Sequence, residues 1–130
     1  MQKAVLGARL LLGLIFTVFG LNGFLNFLPP PEVNEGAGAF LGALAATGYM
    51  FPLIKATEVV GGVLLLANRC VPFALTILAP VVVNIALFHI VLDTAGLPVA
   101  LAVLVLEIFL AWGYRDSFKG VLASKASPSV

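Results

Sequence analysis

Charged residues are scarce in this chain of 130 residues: seven are basic and six are acidic, whereas 62% of all residues are hydrophobic. The mean hydropathy is +1.15. A water-soluble domain of this size exposes much of its surface and needs more charge to cover it. The composition therefore excludes an ordinary soluble domain and predicts a protein embedded in a lipid bilayer. A formal net charge of +1 gives no electrostatic reason to expect a nucleic-acid partner, so we expect none.

Residues that carry common enzymatic chemistry are also rare. The single cysteine, Cys70, excludes an internal disulfide, a Cys-x-x-Cys redox pair and an all-thiolate metal site within one chain. No serine or cysteine nucleophile stands beside a base, and no glycine-rich phosphate-binding loop is present. The glycines of the first apolar segment instead form a stripe of small residues, which is typical of closely packed membrane helices. The stripe consists of Gly13, Thr17, Gly20 and Gly23.

Long apolar segments predict four membrane-spanning helices. About 20 residues at about 1.5 Å each cross the hydrocarbon core of a bilayer. The predicted spans lie at residues 5–28, 50–67, 71–92 and 97–114. Asn68 as a helix stop and Pro72 in a first helical turn predict a tight connection between the second and third spans. We therefore expect an all-α polytopic membrane protein, a four-helix bundle forming one domain over residues 1–122, with a flexible cytoplasmic tail at residues 123–130.

A shorter helix is predicted between the first and second spans. Three prolines at residues 29–31 are expected to end the first span, and Asn34 is placed to cap a helix over residues 35–46. That segment is too short and too rich in small residues to cross a bilayer. We interpret it as an interfacial or re-entrant helix that lies over the outer end of the bundle.

The basic residues predict the orientation of the chain. Six of the seven lie at one end of the predicted spans: Lys3, Arg9, Arg69, Arg115, Lys119 and Lys125. Positively charged connections remain on the cytoplasmic side of a membrane. We therefore expect both termini in the cytoplasm.

Six polar residues inside the spans are the candidate site residues, because polar groups at membrane depth are costly unless they have a role. They are Asn22, Lys55, Glu58, Asn84, His89 and Glu107. Their positions along the spans place them roughly 5 to 15 Å below the outer boundary. We therefore expect one polar pocket in the outer half of the bundle, beneath the short helix, with apolar walls from Phe24, Phe51 and Phe88.

Each candidate also has a purely structural interpretation. Lys55 and Glu58 are three residues apart and can neutralise each other. Alternatively, Lys55 can extend to the outer membrane–water interface, where Glu58 only satisfies the charge of Lys55. Asn84 can clamp two helices together, and His89 can be an interfacial hydrogen-bonding residue instead of a proton carrier or ligand. Glu107 has no cation in its own helix, so we expect it to be protonated, paired with Lys55, or bonded to Asn84 or His89. No Glu-x-x-His pair is present, so no metal site is predicted.

Four short stretches occur in a distinctive order along the chain. They are Thr47-Gly48-Tyr49-Met50-Phe51-Pro52, Glu58-x-x-Gly61-Gly62, Asn68-Arg69-x-x-Pro72-Phe73-Ala74 and Pro80-x-x-x-Asn84-Ile85-x-x-Phe88-His89. Together they resemble the DoxX and DoxX-like family of small four-helix membrane proteins over residues 5–122. The resemblance implies a bacterial or archaeal inner-membrane protein. The family takes its name from a subunit of a thiosulfate:quinone oxidoreductase, so the resemblance also implies a link to quinones.

Two classes of function fit these observations. The first is an accessory subunit of a quinone-linked membrane oxidoreductase, with quinone as its ligand and no built-in cofactor. Such a subunit would not act as an enzyme alone and would receive electrons from another membrane or redox protein. The second is a non-enzymatic helper or assembly protein, or a small-solute binder or transporter, that packs against another membrane protein or associates with itself.

Overall fold

Helices are the only regular secondary structure in the computed structural model, which describes all 130 residues. The α-helices are α1 (Gln2–Leu25), α2 (Glu35–Ala46), α3 (Met50–Ala67), α4 (Val71–Val91) and α5 (Leu97–Gly113). Short 3-10 helices at Thr94–Gly96 and Arg115–Phe118 flank α5. Helices α1, α3 and α4, together with α5 and the turn before it, are long and apolar enough to cross a membrane. The predicted all-α architecture with four spans is confirmed.

The long helices pack side by side in the order α1, α3, α4, α5, and α5 closes the bundle against α1. Arg9 near the start of α1 contacts Leu65 near the end of α3, and Val5 lies beside Gly113 at the end of α5. The start of α1, the end of α3, the start of α4 and the end of α5 therefore share one end of the bundle, called here the terminal end. The opposite end, called the loop end, carries α2 and the turn between α4 and α5.

Large apolar side chains fill the bundle interior. On each long helix the buried residues recur every three or four positions, so that they share one helical face. The largest of the fully buried side chains are Leu12, Phe16, Leu65, Leu75, Leu78, Val82 and Leu110. Many large apolar residues on the opposite faces are exposed, which is the pattern of helices that face lipid.

Glycines bring α1 and α3 into backbone contact. A Cβ atom added at Gly62 of α3 would lie 2.6 Å from the backbone nitrogen of Thr17 in α1. A Cβ atom added at Gly20 of α1 would lie 2.9 Å from the backbone nitrogen of Val59 in α3. These distances confirm that the small residues of α1 form a packing stripe. The small residues thus allow the backbones of α1 and α3 to approach closely.

Gly61 faces α4, whereas Gly62 faces α1. A Cβ atom at Gly61 would lie 2.6 Å from Cγ of Leu78 in α4. Successive residues of a helix are separated by about 100°, so adjacent glycines can serve two neighbouring helices. Helix α3 is thus packed closely on both sides.

Helix α1 begins and ends three residues earlier than predicted. Its last residue is Leu25, and Asn26 adopts a left-handed conformation with φ of 51°. The side-chain oxygen of Asn22 accepts a hydrogen bond from the backbone N–H of Leu28, at 2.7 Å. The helix therefore ends in a turn stabilised by two asparagines, before the prolines at residues 29–31 are reached. Other predicted boundaries are confirmed: Asn68 ends α3 in a left-handed conformation, and α4 has a proline in its first turn.

The predicted short helix is present as α2 and is attached to the loop end of α4. The side-chain oxygen of Asn34 accepts a hydrogen bond from the backbone N–H of Ala37 at 2.8 Å, which confirms Asn34 as the N-cap. The side-chain amide of Asn34 donates to the carbonyl oxygen of Leu92. The rings of Phe40 and Phe88 are 5.7 Å apart. One asparagine therefore both starts α2 and ties it to the end of α4.

Candidate functional site

Lys55 and Glu58 form an ion pair in the interface between α3 and α1. Lys55 Nζ is 3.3 Å from Glu58 Oε2, and the Glu58 side chain is only 5% exposed. Gly20 and Gly23 of α1 lie directly over this pair: a Cβ atom at Gly20 would be 3.1 Å from Glu58 Cβ, and one at Gly23 would overlap the Lys55 side chain. The two charges neutralise each other within one helix, as their spacing predicts. The structure therefore favours a structural role for this pair.

Glu107 lies in a different place, in a cleft between α4 and α5. This α4–α5 cleft has a volume of about 280 Å³ and is lined by Leu75, Thr76, Ala79, Glu107, Ile108, Ala111 and Phe118. The Oε2 atom of Glu107 is buried and has no hydrogen-bond partner. Leaving a buried polar atom unpaired costs about 1–3 kcal/mol, so such atoms are rare in folded proteins. Lys55 is paired with Glu58 and does not provide the predicted counter-charge.

His89 closes the turn between α4 and α5. Its Nδ1 atom is 3.1 Å from the carbonyl oxygen of Asp93 and 3.7 Å from Asp93 Oδ2. The imidazole lies against Gly96, where a Cβ atom would collide with the ring. The ring of Phe88 packs edge-on against it at 5.0 Å. These contacts support the interpretation of His89 as a hydrogen-bonding residue at the end of a helix.

Neither of the two asparagines is hydrogen-bonded to another candidate residue. The Asn22 side chain is used in the turn that follows α1. Asn84 is exposed on the side of α4, next to the exposed residues Val83 and Leu87. It therefore does not clamp two helices of this chain together. An exposed amide in the middle of a membrane-spanning helix instead faces lipid or another protein.

The structure thus brings only Lys55 and Glu58 together among the six candidates. The sequence predicted one pocket beneath α2, but the two main cavities lie elsewhere, and Glu107 is the only one of the six that lines either of them. Phe24, an expected wall of that pocket, is half exposed. Depth along a helix follows from position in the chain. The direction in which a side chain points depends on how each helix is rotated in the bundle, which packing decides.

The stretches that carry the DoxX-like resemblance include residues with visible structural roles, such as Asn68 at the end of α3 and His89 at the end of α4. Comparisons with protein-family models, with curated proteins and with solved structures found no match to this chain. The resemblance therefore stays a prediction.

Arg9 has a structural role that was not predicted from the sequence, where it served only as one of the basic residues that indicate membrane orientation. It is buried, with 7% of its surface exposed, and its guanidinium donates hydrogen bonds to the carbonyl oxygens of Leu65 and Leu66. These carbonyls belong to the last turn of α3, where the helix dipole attracts a cation. The sequence does contain a signal for this contact, because Arg9 stands four residues before Gly13 and therefore shares the face of α1 that packs against α3.

A second cavity, called here the terminal cleft, opens at the terminal end of the bundle between α1 and α5. Its volume is about 510 Å³, and its walls include Leu6, Arg9, Asn68, Trp112, Tyr114 and Arg115. The guanidinium of Arg115 donates to the Trp112 carbonyl oxygen at 2.9 Å and lies 4.8 Å from the centre of the Trp112 ring. The cleft therefore contains two arginines whose side chains are both fixed by contacts within the protein.

Proposed function

We propose that this protein is an integral membrane accessory subunit of a quinone-linked oxidoreductase and that the α4–α5 cleft binds a quinone headgroup at Glu107. The observation that carries the proposal is the unpartnered, buried Oε2 atom of Glu107 in a cleft with mainly apolar walls. Thr76 and Ile108, on the rim of the cleft, are exposed on the outer surface of the bundle. A lipid-soluble ligand can therefore enter the cleft from the bilayer and offer the carboxyl group of Glu107 a hydrogen-bond partner.

The residues of the cleft can bind both the oxidised quinone and the reduced quinol. Phe118 and the aliphatic side chains offer an apolar surface to the ring. A protonated carboxyl group can donate a hydrogen bond to a quinone carbonyl, and an ionised one can accept a bond from a quinol hydroxyl. When bound, a quinone supplies the electron-accepting chemistry, while Glu107 positions the headgroup and exchanges a proton with it.

Association with a larger complex is supported by Asn84. A polar side chain on a lipid-facing surface is unfavourable, whereas an amide bonded across two membrane helices is stabilising by roughly 1 kcal/mol. Exposure of Asn84 on α4 thus favours a second membrane protein on this side of the bundle. Transport through the bundle is disfavoured, because Leu12, Phe16 and Leu78 fill its interior.

Replacing Glu107 with leucine is expected to weaken quinone binding without lowering the stability of the fold. We expect the purified parent protein in detergent to bind a short-chain quinone, and Glu107→Leu to weaken that affinity about tenfold, since a lost hydrogen bond to a carboxyl group costs about 1.5 kcal/mol. The variant should unfold at the same or a higher temperature, because it removes an unpaired buried oxygen. Titration calorimetry and thermal unfolding measure the two quantities.

Glu58→Gln is the matched control for this experiment, because Glu58 lies in the α1–α3 interface and outside the α4–α5 cleft. Its glutamine can still accept a hydrogen bond from Lys55. We expect it to bind quinone as the parent does. Equal affinity of Glu107→Leu and the parent, or a parent that binds no quinone, would contradict the proposal.

We further propose that the terminal end faces the cytoplasm of a bacterial or archaeal cell, with the protein in the inner membrane. Support comes from the basic residues at that end. Cys70, the only cysteine, is exposed in the α3–α4 turn at the same end. A membrane-impermeant maleimide should therefore leave intact spheroplasts unlabelled and react after permeabilisation. A Cys70→Ser variant with Thr94→Cys at the loop end should react without permeabilisation, and the reverse pattern would refute this orientation.

A further inference from the structure

Two arginines share the terminal cleft without an acidic partner. The lysine ion pairs of the structure join Lys55 to Glu58 and Lys119 to Asp116, and no carboxylate is paired with Arg9 or Arg115. No aspartate or glutamate is among the residues that line the cleft. Two cations in one partly desolvated cleft repel each other, and an anion placed between them offsets that repulsion. We propose that the terminal cleft binds the phosphate group of an anionic phospholipid.

The arginines are held in place before any ligand binds. Arg9 is anchored by its bond to the Leu65 carbonyl, and Arg115 by the Trp112 carbonyl and ring. A guanidinium has five N–H donors in a rigid plane, so the anchoring bonds of each arginine leave donors for a phosphate oxygen. Side chains that are already ordered lose little entropy when the ligand binds. The cleft thus has the charge and the preorganisation of an anion site.

The surroundings of the cleft favour a lipid over a free phosphate ion. Val5 and Leu6 contribute apolar walls. From Leu6, exposed leucines continue along α1 at intervals of four residues, with exposures of 48% for Leu6, 42% for Leu10 and 54% for Leu14. This spacing places them on one lipid-facing strip of the helix, against which an acyl chain can lie. A phosphate in the cleft and an acyl chain on this strip belong together in a single phospholipid molecule.

Trp112 provides a direct measurement, because it is the only tryptophan of the chain and it lines the cleft. The full protein is reconstituted in phosphatidylcholine nanodiscs with increasing amounts of phosphatidylglycerol carrying brominated acyl chains, which quench tryptophan fluorescence on contact. We expect phosphatidylglycerol to occupy the site about tenfold more strongly than brominated phosphatidylcholine, because the choline cation of phosphatidylcholine is repelled by the two arginines; a factor of ten corresponds to about 1.4 kcal/mol.

Arg115→Gln is the test variant, and Arg69→Gln is its matched control. Arg115 lies in a short 3-10 helix and is exposed, so its replacement leaves the bundle folded. Arg69 is an exposed cation at the same end of the bundle, but it does not line the cleft. We expect Arg115→Gln to lose most of the preference for phosphatidylglycerol and Arg69→Gln to retain it.

Three results would overturn the proposal. A parent protein without preference for phosphatidylglycerol shows that the cleft binds no anionic lipid. Equal losses in Arg115→Gln and Arg69→Gln show that the general charge of this end attracts the lipid. Full release of phosphatidylglycerol by an excess of inorganic phosphate shows that the site recognises a free anion. Retention of the lipid under that excess supports a bound phospholipid.

Discussion

Replacing Gly62 with valine is expected to destabilise the four-helix bundle strongly. A Cβ atom at Gly62 would lie 2.6 Å from the Thr17 nitrogen and 2.9 Å from the Gly13 carbonyl oxygen. Both are backbone atoms of α1, so no side chain can rotate away and the whole helix must move. Overpacking of this kind costs about 1–3 kcal/mol and more where the backbone must shift. We expect Gly62→Val to lower the free energy of unfolding by about 3 kcal/mol or more, measured by SDS titration in mixed micelles.

Gly7→Val is the control for this substitution. Gly7 lies in α1, and a Cβ atom there would meet nothing within 4 Å. The same change of residue type in the same kind of helix should therefore leave the unfolding midpoint close to that of the parent. If Gly62→Val and Gly7→Val unfolded at the same SDS concentration, the close approach of α1 and α3 would not contribute to stability.

Replacing Lys55 with methionine is expected to have the second largest effect, because it leaves the carboxylate of Glu58 without its partner. The Glu58 side chain is 5% exposed and lies 3.3 Å from the Lys55 ammonium. Breaking a buried ion pair from one side costs about 3–5 kcal/mol. The Lys55 side chain remains 24% exposed, so we expect a loss near the lower end of that range. Unfolding in SDS again provides the measurement.

Two controls identify the cause of that loss. The double variant Lys55→Met with Glu58→Met removes both charges and should recover most of the stability, since apolar replacements of buried ion pairs are often neutral or stabilising. Lys119→Met breaks the exposed pair with Asp116 and should change stability by less than about 1 kcal/mol. A double variant as unstable as Lys55→Met would show that the lysine stem, and not the charge balance, supports the interface.

The helices and their connections could largely be predicted from the sequence, because they depend on local properties. Apolar segments of sufficient length predicted α1, α3, α4 and α5, and Asn34 predicted the start of α2. The main error was the end of α1. Prolines are the stronger general signal for a helix end, but Asn22 and Asn26 stop this helix earlier through a side-chain bond and a left-handed residue.

The candidate site could be predicted only in part. The pairing of Lys55 with Glu58 followed from their spacing, because both belong to one helix. Depth along the helices alone predicted that His89, Glu107 and Asn84 share one pocket. In the structure His89 binds the turn beside it, Glu107 lines a cleft on the side of the bundle, and Asn84 faces outward.

Composition and spacing by themselves determined that this chain forms apolar helices of membrane-spanning length, where most of them begin and end, and which charges can pair within a helix. These properties depend on residues close together in the chain. Only the tertiary structure decided which polar groups meet, that Arg9 binds the end of α3, and that Arg9 and Arg115 share a cleft. The rotation of each helix decides such contacts, and it is set by how glycines and large apolar side chains from different helices fit together.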